Sequence, residues 1–316
     1  MVPSGVMQAA SVKNFCLERG CEVKEPAPGF IVAYNFDSKV LGGETKELIS
    51  NLDGRLPVVG PDNFIDPGQL QWVTGENVNL HYRGNALPRR KVWIQDGPTD
   101  DKILVYSYTG WNNPISFATS DWNRDAYLKG VCDKYNAFSD ACGFERANHA
   151  IVTAYDDKDA NIGMHYDKIP SLSLTSGIAV VKMGEPRRFC LRERILPNDR
   201  MNFLKAKKKK TAEEKEELEQ WKKAVQEEQE KEPMIFDEVV PAGTLLFMTM
   251  ETNFGTQHGV PEADNEVGLS GSIVFRTVKD RRSVQRIQKE ASKVYAGRAS
   301  KGIRKKSKGM LMPAIE

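Results

Sequence analysis

His165 and Asp167 are the residues of this sequence whose types and spacing are best suited to metal chemistry. The chain has only four histidines, and His165 lies in the polar stretch NIGMHYDKIPS, two positions before the aspartate. In an extended segment, side chains two positions apart lie on the same face, so this imidazole and carboxylate can take adjacent positions on one metal. His258, in the motif TQHGVP, could supply a third ligand. Two histidines and one carboxylate on one face of an octahedral metal form the facial triad of non-haem Fe(II) sites.

Two further side chains could bind an anion beside such a metal, and they matter because a His-x-Asp pair alone often arises by chance. Arg276 lies near the end of the segment SGSIVFR, and an arginine there can bind a carboxylate through two hydrogen bonds. Tyr155 ends the apolar segment that precedes His165 and could donate a phenol hydrogen bond to the same anion. The combination predicts a dicarboxylate co-substrate that chelates the metal.

Short strands must position these residues. β-Branched and aromatic residues predict strands at 102–111, 149–155, 176–184, 187–193, 243–248 and 271–278. Apolar residues at helical spacing predict helices at 43–52 and 125–138. Residues 1–30, which carry Pro26 and Pro28, are expected to form an extended entry segment. The pattern indicates a mainly β (α+β) fold, a sandwich or barrel behind an N-terminal helical layer.

Residues 199–233 interrupt the strand pattern with a highly charged segment. Thr211 and Glu214 have the spacing of a capping box, and Leu218 and Trp221 belong to a narrow apolar stripe. We predict a solvated helical hairpin inserted between two strands. A nucleic-acid-binding or partner-binding arm is the alternative.

The composition indicates a folded intracellular protein. The net charge is only +2, although residues 205–210 and 298–309 are strongly basic. Five scattered cysteines without a C-x-x-C pair are typical of reduced thiols. The sequence has no signal-peptide pattern and no apolar run of transmembrane length, so we expect a soluble protein of the nucleus or cytoplasm without a membrane partner. His81 and His149 lack a carboxylate at comparable spacing, and we interpret them as structural.

Taken in order, the motifs resemble the core of the AlkB-like Fe(II)/2-oxoglutarate-dependent dioxygenases. The resemblance rests on IVTAYDDKDANIGMHYDK, SGIAVVKMGEPRRFCLRE, VPAGTLLFM, TQHGVP and GSIVFR, with LPRRKVWIQ and YSYTGWNNP similar to the substrate-lid region. It implies a double-stranded β-helix (jelly roll) in which His165, Asp167 and His258 hold Fe(II), with 2-oxoglutarate and O2 as co-substrates. The implied organisation is a supporting extension at 1–86, a core at 87–282 that contains the insertion 199–233, and a basic tail at 283–316.

The co-substrate site departs from the family pattern. Family members usually carry two arginines on the last strand, and here Arg276 matches the second whereas Ser270 occupies the first position. Thr153 stands where the family tends to have asparagine near the co-substrate. An unpaired distal carboxylate of 2-oxoglutarate would cost several kcal/mol. Arg276 alone could pair with it, as in relatives of the TET and JBP type, or Lys182 could, as in JmjC-type oxygenases. A weakened or altered co-substrate site is the third alternative, and we favour the first two because Tyr155 and the metal ligands remain.

The resemblance also implies a nucleic-acid substrate, DNA or RNA, oxidised at an alkyl or methyl group of a base, as in DNA repair or nucleic-acid demethylation. Tyr106, Tyr108 and Trp111 are expected near the pocket mouth, where aromatic rings can stack on an extruded base, although Tyr106 and Trp111 could equally be core residues. Residues 89–91, the 205–210 lysines and the tail could supply phosphate contacts. The alternatives are a 5-methylpyrimidine hydroxylase of the TET and JBP type, a protein hydroxylase or demethylase, and a non-catalytic nucleic-acid-binding protein on a degenerate oxygenase fold. We expect a monomer.

Overall fold

The computed structural model of the protein describes residues 5–58, 70–74, 81–82, 85–97, 102–104, 119–168, 171–279 and 281–283. The expected substrate residues Tyr106, Tyr108 and Trp111 lie outside these ranges, as does the basic tail beyond Ser283. No helix within the described ranges is both long enough and apolar enough to cross a lipid bilayer.

The helices and strands alternate irregularly along the chain. The helices are α1 (Gly5–Glu18), α2 (Leu48–Arg55), α3 (Ala126–Cys142), α4 (Asp199–Ala206), α5 (Ala212–Gln229) and α6 (Met250–Gly255). The strands of the first half are β1 (Glu22–Ala27), β2 (Phe30–Tyr34), β3 (His81–Tyr82), β4 (Asn85–Ala86), β5 (Arg90–Gln95), β6 (Lys102–Leu104), β7 (Thr119–Asp121) and β8 (His149–Tyr155). Those of the second half are β9 (Ile162–His165), β10 (Ile178–Gly184), β11 (Arg187–Glu193), β12 (Met234–Val240), β13 (Leu245–Met248), β14 (Thr256–Val260), β15 (Ser270–Arg276) and β16 (Arg281–Ser283).

The larger sheet has eight strands in the order β1-β2-β13-β10-β15-β8-β5-β7. All its pairings are antiparallel except that of β5 with β7. Its inner strands are buried on both faces because alternate side chains enter two different cores. Ala179 and Val181 pack with α1, α2 and α3 on one face, whereas Val180 between them packs toward the second sheet.

The smaller sheet has the order β12-β11-β14-β9 and faces the larger one. Phe189 of β11 and Phe236 of β12 share a core with Phe30 and Trp93 of the larger sheet. The protein is therefore a mixed α/β fold built on large antiparallel sheets, which agrees with the β-rich class predicted from the sequence. The space between the two sheets holds the candidate site.

The N-terminal region differs from the extended segment expected for residues 1–30. Gly5–Glu18 forms a helix that buries Ala9, Val12 and Cys16 against α3 and β2, and β2 then enters the larger sheet beside β13. Pro26 and Pro28 restrict only the backbone near them, and Pro26 is tolerated because β1 is an edge strand. The division of the chain at residue 86 stays a prediction, although strand β2 is part of the main sheet.

The charged insertion forms a helical hairpin, as predicted, between β11 and β12. α4 and α5 pack through Met201, Leu204 and Leu218. The Thr211 side chain accepts a hydrogen bond from the Glu214 amide, and the Glu214 carboxylate accepts one from the Thr211 amide. Both halves of the capping box are therefore present at the start of α5. All five cysteines are buried and free, which agrees with the absence of a disulfide framework.

Candidate metal and co-substrate site

The three predicted metal ligands lie together on the smaller sheet. His165 at the end of β9 is the direct antiparallel partner of His258 on β14, and their ring centroids are 4.4 Å apart. Asp167 follows two positions later, and one ligand atom from each residue lies within 4.8 Å of the others. Neighbouring strands thus bring together two segments that are far apart in the sequence.

The two imidazoles are held in orientations that suit metal binding. Nδ1 of His165 lies 2.8 Å from the backbone oxygen of Gly163, so Nδ1 carries the proton and Nε2 is left as an acceptor. The ring of His258 stacks on Phe189 at 5.8 Å, and its Nδ1 is buried without a hydrogen-bond partner in the described part of the chain. Burial and the neighbouring His258 lower the pKa of His165 to about 3, so the ring is neutral, as a ligand must be.

Asn253 fixes the backbone of the carboxylate ligand. Its Oδ1 accepts from the Asp167 amide at 2.8 Å, and its Nδ2 donates to the Asp167 carbonyl at 2.9 Å. Asn253 is fully buried on α6, the short helix that immediately precedes the strand of His258. One helix therefore couples both ligand-bearing segments. Sequence reasoning missed Asn253, because a lone asparagine in METNFG carries no motif.

Arg276 contacts the metal-ligand carboxylate directly. Its Nη2 and Nε donate to Asp167 Oδ2 at 2.6 Å and 3.0 Å, and both side chains are about 7% exposed. Burial alone would raise the pKa of Asp167, but Arg276 and the two imidazoles lower it to about 2, so the carboxylate stays ionised. The predicted anion-binding arginine thus lies beside the metal ligands.

A cavity of about 390 Å³ opens in front of these residues. Its lining includes the three ligands, Arg276 and Lys182, and its apolar walls come from both sheets. The walls include Trp93, Ile151, Val180, Phe189 and Val260. The volume lies in the range typical of small-molecule sites.

Lys182 extends from β10 to Ser270, the position where the motif resemblance leads us to expect an arginine. Its Nζ donates to Ser270 Oγ at 2.6 Å and to the Gly271 carbonyl at 3.1 Å. Lys182 faces Ser272 across the β10–β15 pair, and it is 4% exposed rather than solvent-facing. Burial, followed by the charge of Arg187, lowers its pKa to about 7. Ser270 contacts Lys182 but does not line the cavity.

Tyr155 and Thr153 reach the same cavity from β8. Burial raises the pKa of Tyr155 to about 12, so its phenol keeps its proton and can donate a hydrogen bond. Arg187 lies over the Tyr155 ring at 5.5 Å and donates to the carbonyls of Asp157, Lys158 and Ala160. Arg187 therefore holds the loop that leads into the metal-binding strand. The sequence predicted only that Arg187 begins the strand 187–193.

The basic run 89–91 does not form the phosphate-binding surface expected from the sequence. Lys91 is buried and lines the cavity, because β5 lies next to β8 inside the larger sheet. Arg90 pairs with Asp53 and Asp156, and Arg89 donates to the backbone of Asn161. Alternation along β5 thus directs these side chains to protein partners or into the site.

Comparison with known proteins gives little beyond this geometry. No family model and no curated protein matches the chain. A solved structure described as "The structure of OsALKBH1" is similar to 80% of this chain and 100% of its own, at 12% sequence identity and a TM-score of 0.40. Values this low do not establish a common function, so the chemistry must be argued from the residues themselves.

The donor set fits a ferrous ion. Two neutral imidazoles and one ionised carboxylate are the ligands that non-haem Fe(II) sites use, and they converge at the wall of a cavity that could admit further ligands. A bound metal would also give each buried imidazole a partner for its ring nitrogen, so neither ring would have to take up a proton. His165, Asp167 and His258 are therefore suited to hold the ion.

Proposed function

We propose that the protein is an Fe(II)/2-oxoglutarate-dependent dioxygenase that oxidises an alkyl or methyl group on a nucleic-acid base. The convergence of His165, Asp167 and His258 within 4.8 Å, at the wall of a cavity that also contains Lys182 and Arg276, carries this proposal. When bound, iron and 2-oxoglutarate supply the oxidation, in which O2 hydroxylates a substrate C–H bond and converts 2-oxoglutarate to succinate and CO2.

Lys182 is our choice for the group that pairs with the distal carboxylate. Three alternatives followed from the absence of an arginine at Ser270. The 2.6 Å contact between Lys182 Nζ and Ser270 Oγ favours the lysine, since it puts a cation next to the vacant arginine position. Arg276 is engaged with Asp167 at 2.6 Å, which favours a role near the metal for its guanidinium. Tyr155 and Thr153 add polar groups to the cavity that these two cations line.

The remaining residues orient the site and exclude water. Asn253 fixes the backbone of Asp167, and Arg276 fixes its carboxylate, so the ligand needs little reorganisation on metal binding. Trp93 and Phe189 belong to the apolar walls, which lower the local dielectric around the reacting groups. In this proposal the two facing sheets form a double-stranded β-helix.

The nucleic-acid substrate is proposed from the resemblance of the motifs, and analysis of the reaction product tests it. Hydroxylation of a carbon attached to nitrogen collapses to release formaldehyde, whereas a hydroxymethyl group on a ring carbon persists. Product analysis therefore separates dealkylation from 5-methylpyrimidine hydroxylation.

The decisive experiment is mass spectrometry of methylated DNA and RNA oligonucleotides after incubation with the protein, Fe(II), ascorbate and 2-oxoglutarate. Succinate and the modified base are measured together. Asp167→Asn should abolish both, whereas Asp159→Asn, the same change at an exposed carboxylate of the preceding loop, should abolish neither. Failure of iron-loaded, folded wild-type protein to form succinate would reject the oxygenase assignment. Succinate without base modification would reject the nucleic-acid substrate alone.

A further inference from the structure

Three side chains form a stacked group beside the cavity, which we name the rim cluster: Tyr166, Arg194 and Phe254. The Arg194 guanidinium lies 3.6 Å from the ring centroid of Tyr166 and 5.3 Å from that of Phe254. Tyr166 is 38% exposed and Phe254 is 47% exposed. Large aromatic rings that stay exposed around a cation differ from a core contact and are typical of a binding surface.

The rim cluster belongs to the same elements as the candidate metal site. Tyr166 lies between two of the proposed ligands in the sequence and lines the cavity. Phe254 follows Asn253 on α6. Arg194 follows β11, where its amide donates to Gly255 O at 2.9 Å and its Nη1 donates to Phe254 O at 3.0 Å. A ligand group seated on the cluster would therefore be held next to the group that enters the cavity.

The cluster also begins a basic strip that continues onto the insertion. Arg194 contacts rings and backbone oxygens, and no carboxylate pairs with it in the part of the chain that the structure describes. Burial, together with the charges of Arg194 and Lys222, lowers the pKa of Lys205, so the three cations lie within interaction range. Lys205 itself lies 4.4 Å from the Trp221 ring centroid. Lys222 pairs with Glu219. The rim cluster thus combines two exposed rings with a cation that pairs with no carboxylate of the described residues.

We propose that the rim cluster binds nucleotides that flank the target base in a single-stranded nucleic acid. This inference rests on the proposed function, because it assumes that a base enters the cavity. Phe254 and Tyr166 offer ring faces on which an unpaired base can stack, and Arg194 offers a guanidinium for the adjoining phosphate. A duplex would fit less well, since its bases are stacked on each other and hidden from a protein ring.

The binding test uses fluorescence anisotropy with a labelled single-stranded oligonucleotide, the same sequence as a duplex, and an acidic peptide. Phe254→Ser is matched by Phe203→Ser, which removes another exposed phenylalanine, on α4 of the insertion. Arg194→Gln is matched by Arg200→Gln, which removes an arginine paired with Glu217. We expect each rim variant to weaken single-strand binding on the order of ten-fold, since one stacked base contributes about that much. The matched variants should change binding by less than about two-fold.

The salt dependence distinguishes the two roles within the cluster. Each phosphate contact contributes about 0.7 to the slope of log affinity against log salt for a single strand. Arg194→Gln should reduce that slope by about this amount, whereas Arg194→Lys and Phe254→Ser should keep it while affinity falls. Equal slopes in Arg194→Gln and wild type would overturn the assignment of the arginine to phosphate.

The outcomes separate this inference from the proposed function. Preference for the duplex or the acidic peptide, or equal loss in the rim and matched variants, overturns the rim proposal. Succinate formation by wild-type protein, measured in parallel without oligonucleotide, reports the oxygenase independently. Succinate formation without single-strand binding therefore rejects the rim cluster and leaves the oxygenase standing. Absence of succinate formation and of single-strand binding rejects the rim proposal and the oxygenase proposal together.

Discussion

Replacing Lys182 with alanine should weaken 2-oxoglutarate binding far more than metal binding. Lys182 is buried, and its Nζ is held 2.6 Å from Ser270 Oγ, on a different strand from the three metal ligands. Removing one partner of a buried ion pair costs about 3–5 kcal/mol, because the other charge stays buried without compensation. At about 1.4 kcal/mol per decade, the lower end corresponds to about 100-fold in the dissociation constant. We use the lower end because water can enter the cavity in the variant.

The assay is calorimetry under anaerobic conditions with Mn(II) in place of Fe(II), so that binding is measured without turnover. Lys168→Ala, which removes another cavity-lining lysine, is the charge-matched control and should cost about ten-fold at most. Ser270→Ala keeps the cation and removes one hydrogen bond, so it should cost about 1 kcal/mol. Unchanged 2-oxoglutarate affinity in Lys182→Ala, or an equal loss in Lys168→Ala, would refute the pairing.

The pH dependence supplies a second measurement of the same contact. Burial and then Arg187 lower the pKa of Lys182 to about 7, below its ordinary value of 10.5. Only the protonated amine pairs with a carboxylate, so 2-oxoglutarate affinity should fall as pH rises through about 7. Lys182→Arg stays charged throughout and should bind with a nearly flat profile between about pH 6 and 9. A flat wild-type profile with a sloping arginine variant would contradict the reasoning.

Three further predictions test residues that support the site or the fold around it. Asn253→Ala should lower Co(II) affinity about ten-fold to 100-fold in a spectroscopic titration. Asn253→Asp should recover part of the loss, because it keeps an acceptor for the Asp167 amide. Equal affinity in wild type and both variants would exclude a positioning role. Gly184→Ala should lower the free energy of unfolding in urea by more than about 2 kcal/mol, because φ is +62° and the added Cβ would lie 2.4 Å from Leu269 O; a change below about 0.5 kcal/mol would refute the clash. Thr211→Ala should destabilise α5 by about 1 kcal/mol, seen as faster amide exchange confined to the insertion; unchanged exchange there would show that the cap contributes nothing.

Much of the sheet could be predicted because its strands are continuous β-branched and aromatic runs between turn residues. Strands 149–155 and 187–193 have the predicted bounds, and the buried face of α2 consists of Leu48, Ile49 and Leu52, the apolar residues within the predicted helix 43–52. The metal ligands could be proposed because imidazole and carboxylate at this spacing have a specific chemistry. Their meeting depended on the pairing of β9 with β14, which periodicity alone does not determine.

The supporting contacts could not be predicted, because they join ordinary residue types across long stretches of chain. Asn253 and Asp167 are 86 positions apart, and Arg276 and Asp167 are 109 apart. Arg187 begins a predicted strand that has several arginines, and nothing in the sequence marks its contacts with the loop carbonyls. Helix α1 was missed because its apolar residues do not lie on one face: Val6, Met7 and Leu17 are exposed, whereas Val12 and Cys16 are buried against α3 and β2.

Under the proposed function, the contact between Lys182 and Ser270 explains why a missing motif residue need not mean a missing charge. A ligand interacts with a cation at a position in space, whichever strand carries that cation. Neighbouring strands of a sheet lie only about 5 Å apart, so a long side chain can reach across. Lys182 starts opposite Ser272, two positions from the motif position at Ser270, and its long stem spans that offset. Serine at position 270 is then required to be small, because a longer side chain would compete with the amine for the same space. Under the proposed function, the lysine on β10 and the serine on β15 form one functional unit, which the sequence of either strand alone does not show.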